Sequence, residues 1–116
     1  MLPKLALIQG VFYLATGVWP LLDIVSFQLV TGPKTDLWLV RTVGILVGVI
    51  GVVLISAGRK RRITAEIVML AAGAALGLAA IDLTYALSGR ISSVYLADAV
   101  VEIGLAVLWM VGWRRA

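Results

Sequence analysis

The sequence predicts an all-α transmembrane protein: a four-helix up-down bundle with both termini on the cytoplasmic side. Three observations predict it. Of 116 residues, 62% are hydrophobic and only 14% charged, whereas soluble domains carry about 25% charged residues. The charges divide the chain into four apolar segments, each of membrane-crossing length. Lys and Arg gather at alternate ends of those segments. The excess apolar surface must meet lipid rather than water, and a chain this short cannot close a transmembrane barrel. Residues 1–116 therefore read as one integral membrane domain.

The first segment, about 4–22, is uncharged from Leu5 to Leu22, too long a run for an ordinary signal-peptide core. Pro20 kinks or closes its end. The second, about 36–58, follows the turn Gly32-Pro33-Lys34, with Thr35 or Asp36 as its cap. The third, about 64–87, starts at Thr64 with Glu66 in its first turn. The fourth, about 91–113, follows Gly89 and is capped by Ser92 or Ser93. A bilayer core needs about 20 helical residues at 1.5 Å each, and every segment supplies them. The stretch 23–35 is apolar, and its reading stays open between lying in the interface and folding over the bundle mouth.

Charge sets the orientation. Lys4, the run Arg59, Lys60, Arg61 and Arg62, and Arg114 and Arg115 share one side, seven residues against three (Lys34, Arg41 and Arg90) on the other. The positive-inside rule then makes this a multi-pass protein of the cell inner (plasma) membrane with cytoplasmic termini. The basic run is a topology signal. It is not a nucleic-acid site, although the net charge is +4, because basic residues at helix ends form no polar face. Trp19, Trp38, Tyr85 and Tyr95 are expected in the outer aromatic belt, and Trp109 and Trp113 in the inner one.

Gly44 and Gly48 of the second span and Gly73 and Gly77 of the third have the GxxxG spacing that permits close helix approach. Counted from the turn at Lys60-Arg61, the two pairs fall at matching depths, so the second and third spans are expected to pack together. The alanine-rich third span should be the most enclosed. A monomer this small has little interior, so a homodimer is expected, with Gly10, Gly17 and Gly51 to serve its interface; a membrane-protein partner is the other association considered.

Ionisable residues are costly in lipid, so their positions carry information. Arg41, Asp82, Asp98 and Glu102 fall in the outer half. Asp98 and Glu102 are four apart and share a helix face. An Arg41–carboxylate network is expected there, because the guanidinium stays charged and can serve two carboxylates. Gln9 and Tyr13, with Thr16, line the first span below. They either extend a polar path or hydrogen-bond across helices. The chain has no Cys and no His, so no metal site, cofactor or catalytic residue is assigned.

Gln9-Gly10 and Gly17 in the first span, the turn Thr31-Gly32-Pro33-Lys34 and the Arg41 that opens the second span resemble the small bacterial four-helix membrane proteins grouped as DoxX-like. The resemblance covers the whole chain in size and layout. It implies the fold and little chemistry. Small multidrug transporters carry a Glu in the first helix, where this chain has Gln9, and the vitamin K epoxide reductase type needs cysteines. Three functions follow in order: a scaffold or accessory subunit, a small proton- or cation-coupled transporter or channel acting as a homodimer, and a membrane enzyme on a lipid-like substrate. The reading leans away from an enzyme.

Overall fold

The computed structural model describes residues 1–115. They form five helices: α1 (Leu2–Leu22), α2 (Ile24–Thr31), α3 (Leu37–Lys60), α4 (Ala65–Leu87) and α5 (Val94–Arg115). Four of them, all but the short α2, are long and apolar enough to cross a membrane. Their outward faces carry exposed side chains such as Leu46, Val49, Val52, Val100 and Met110. Apolar surface on this scale fits lipid and not water.

Local chemistry sets the helix ends. Pro3 stands in the first turn of α1, where its missing N–H costs nothing. Pro20 lies in the last turn, and α1 stops two residues later at Leu22, with Asp23 as its C-cap. Asp23 ends one helix and starts the next: its N–H bonds to the Trp19 carbonyl, and its side chain accepts from the Ser26 N–H. Gly32 then ends α2 with φ +96°, a conformation that side chains disfavour. Thr64 caps α4 by accepting from Ile67 N–H at 3.3 Å.

Packing differs from the sequence expectation. α3 lies along α1, and it meets α4 over only a short stretch. Gly17 packs on Gly44, Gly10 on Gly51, and Pro3 on Gly58. Each contact is seven residues from the next on both helices, so the pair shares one straight small-residue seam. A Cβ on Gly17 would stand 2.5 Å from the Gly44 carbonyl oxygen, and one on Gly51 would stand 2.6 Å from that of Gly10. By contrast, a Cβ on Gly73 or Gly77 would meet nothing within 4 Å. The expected Gly44/Gly48 to Gly73/Gly77 contact is thus replaced by an α1–α3 contact. Gly10, Gly17 and Gly51 are used within the chain and not between chains.

The reason lies on α4. Its buried residues are Val68, Ala71, Ala75, Ala79 and Asp82. This stripe has helical spacing, and α4 packs mainly against α5. Gly73 and Gly77 fall on the opposite face. The most enclosed of the long helices is α1 and not the third span. It contacts α3 on its glycine side and α5 on its other side. Leu2, Leu5, Ala6, Leu54, Ala71, Leu105 and Trp109 form an apolar cluster toward the end where Pro3, Gly58 and Gly112 meet. We call this the Arg61 end, and the opposite one the Lys34 end.

Candidate functional site

The buried stripes of α1, α4 and α5 each place a polar residue where the helix pattern demands an inward one. Tyr13 lies between Gly10 and Gly17 on α1. Asp82 comes one turn after Ala79 on α4, and Glu102 one turn after Ala99 on α5. The alanines bring the helices close, and the next inward position is then held by a carboxyl. Glu102 is 1% exposed, Asp82 5% and Tyr13 1%.

Hydrogen bonds connect some of these groups. The Tyr13 hydroxyl donates to Glu102 Oε1 at 2.8 Å. One turn closer to the Arg61 end, Gln9 Nε2 donates to the Ala71 carbonyl at 3.0 Å, and Trp109 Nε1 donates to Gln9 Oε1 at 2.6 Å. Gln9 thus ties α1 to both α4 and α5. Thr16 bonds within its own helix, to the Phe12 carbonyl. Trp109 is fully buried and is no interfacial belt residue. Its indole fills the core and needs a partner there, which Gln9 provides.

Asp82 is different. Its Oδ2 is buried and has no hydrogen-bond partner. Asp98, half-buried on α5, is its neighbour. Both line a cavity of about 640 Å³, together with Glu102 and Tyr13. Ligand pockets span roughly 300–1,000 Å³. Val43 and Val47 of α3 and Leu78 and Ile81 of α4 form apolar walls. The cavity ends at Tyr13 and Glu102, because Gln9, Ala71 and Trp109 are packed beyond them.

The stretch 23–35 settles over the mouth. Phe27, Val30 and Thr31 of α2 line the cavity at the Lys34 end. Trp19 Nε1 donates to Ser26 Oγ at 2.8 Å and pins α2 to α1. Lys34 Nζ donates to the carbonyls of Thr31 and Gly32 and lies 5.2 Å from the Tyr95 ring centroid. Lys34, itself part of the lining, is thus held at the end of α2 and against an aromatic face. These mouth residues were not singled out as a site by the sequence reading. The Asp23-x-x-Ser26 cap was the available signal for α2.

Arg41 does not join the carboxylates. It is exposed on α3 and is absent from the cavity lining. It stands one turn before Gly44, whose face turns to α1, so Arg41 is carried away from α4 and Asp82. One turn into α3, its long side chain can extend toward a polar interface instead. Of the sequence candidates, the structure brings together Gln9, Tyr13, Asp82, Asp98 and Glu102, and leaves Arg41 outside. Among the described residues no three His, Cys, Asp or Glu side chains converge as a metal site. The arrangement can hold positive charge and accept hydrogen bonds at one end of an apolar chamber.

Comparison with family models, curated proteins and solved structures finds no match for this chain.

Proposed function

We propose that this is a ligand-binding membrane protein: an up-down bundle of four spanning helices in the cell inner membrane, with a cup that opens on the outer side. Seven of ten basic residues belong to the Arg61 end, which supports placing that end and both termini in the cytoplasm. The observation that carries the binding role is the chamber of about 640 Å³ with an unpartnered Asp82 oxygen in its wall. A buried polar group without a partner costs about 1–3 kcal/mol. A protein that keeps such a group beside an empty volume gains by binding something there.

The closed floor at Tyr13, Glu102 and Gln9 favours a cup over a conducting path. A second reading, an accessory subunit beside another membrane protein, draws on α4, where Gly73 and Gly77 are open outward. The resemblance to DoxX-like proteins is compatible with either and assigns no ligand.

Native mass spectrometry of protein gently extracted from its own membrane tests the binding role, wild type beside Leu78→Trp, which fills the chamber. A discrete bound species in wild type and its loss in Leu78→Trp is the expected result. Identical spectra, with bulk lipid alone, would refute the cup. Orientation is tested separately. The chain has no Cys, so one cysteine at Lys34 or Arg62 gives an unambiguous label, expected from outside at the first position only.

A further inference from the structure

The chamber also specifies the chemistry of its occupant. Four properties bear on it. Asp82, Asp98 and Glu102, with Asp36 at the mouth, line it against a single cation, Lys34, so an anion is disfavoured. No cation bonds to the carboxylates: Arg41 is exposed and outside the lining, and Lys34, which lines the mouth, is held by α2 and Tyr95. Asp82, 5% exposed, presents an oxygen with no bond made. The remaining wall is apolar and far too large for a bare ion, with Phe12, Val43, Val47 and Leu78 among its members.

A metal ion would leave that apolar volume empty, and the carboxylates do not converge as metal ligands. A neutral apolar molecule would fill the volume but leave Asp82 unsatisfied. An organic ammonium on an apolar body satisfies both halves. Its N–H groups would replace the missing donor at Asp82, in a site where charge-assisted bonds are strong.

Access follows from the helix pairing. The chamber walls include Val43 and Val47 of α3 and Leu78 and Ile81 of α4, two helices that touch only briefly. The gap between them faces the surroundings of the protein, which are lipid in the reading above. A lipophilic molecule dissolved in the membrane can reach Asp82 by this side without crossing the α2 cover.

We propose that the cavity binds a lipophilic organic ammonium. The nitrogen sits at Asp82 and Asp98, and the apolar body lies between α3 and α4. This rests on the cup reading and narrows it to one ligand class. The source is either an aminolipid headgroup or a free lipophilic amine, which share this chemistry.

The test uses the full chain in phosphatidylcholine nanodiscs, with dodecylammonium as probe and dodecanol as its neutral match. Retained probe is counted by native mass spectrometry. Wild type should hold dodecylammonium and not dodecanol, and Asp82→Asn should bind the ammonium about tenfold more weakly or worse. Asp98→Asn, at a half-buried position, gives the same reading if Asp82→Asn does not fold. Equal retention of both probes by wild type overturns the ammonium assignment and leaves the cup intact. Retention of neither overturns the cup as well. Displacement of the probe by added phosphatidylethanolamine assigns the headgroup source, and no displacement assigns a free amine.

Discussion

Toward the Arg61 end, Gln9, Trp109 and the Ala71 carbonyl satisfy one another inside an apolar cluster. Toward the Lys34 end, the same helices hold an open chamber, and Asp82 keeps a buried oxygen unbonded. Both ends bury polar groups on the same three helices, so burial as such does not separate them. Completion does. In the first region every hydrogen-bonding group of Gln9 has a protein partner, and the region acts as a clamp between α1, α4 and α5. In the second the partner is missing, and the volume for one is present. On the proposed reading, structure is maximised at one end, while the other gives up stability for a site.

The largest effect should come from the clamp. Trp109→Ala removes the biggest fully buried side chain and leaves Gln9 Oε1 without its donor. Core Trp→Ala changes cost about 3–5 kcal/mol in water. Lipid weakens the transfer part, so about 3 kcal/mol is expected here. Unfolding by SDS in mixed micelles checks it. A loss below about 1 kcal/mol would mean that the two ends do not differ in the way described.

The glycine seam gives the next effect. Gly10→Ala puts a methyl 2.8 Å from the Gly51 carbonyl oxygen, backbone that cannot step aside. Overpacking of this kind costs about 1–3 kcal/mol. Gly73→Ala is the matched control, with nothing within 4 Å. Its only expected change is the helix-propensity gain of about 0.5–1 kcal/mol. Equal responses at the two glycines in the same SDS assay would contradict the α1–α3 seam.

These two glycines also show what the sequence could and could not disclose. The four spanning segments were legible, since length and hydropathy alone decide them. The inward positions of Asp82 and Glu102 were legible too, because polar residues in apolar helices have few other places to go. Helix pairing was harder. Gly44 fits two readings: a four-residue notch with Gly48, or a seven-residue seam with Gly51 and Gly58. Only the matching spacing of Pro3, Gly10 and Gly17 favours the seam. The notch would set α3 against α4, whereas the seam sets it against α1 and carries Arg41, near the face of Gly44, away from Asp82. The chamber depended on that choice. With α3 moved to α1, the cation expected beside Asp82 is gone and a volume stands in its place. The cover is ambiguous for another reason: the apolar stretch 23–35 suits the membrane interface as well as the bundle mouth.

The smallest effect bears on the hollow end and has the opposite sign. Asp82→Leu replaces a carboxyl with an unpartnered oxygen by an apolar group of similar reach, beside a chamber with room for it. If the carboxyl is kept for a ligand, it costs the unliganded fold, and the variant should be more stable by about 1 kcal/mol. The same substitution at a structural carboxyl would break a bond and lower stability. Glu102 supplies that contrast, because Tyr13 donates to it at 2.8 Å, and Glu102→Leu should weaken the fold by about 1 kcal/mol. Opposite signs for these two carboxylates, measured in one SDS titration, would place the boundary between clamp and cup between Glu102 and Asp82. A loss of stability in both variants would assign Asp82 to the clamp and remove the main support for a binding site.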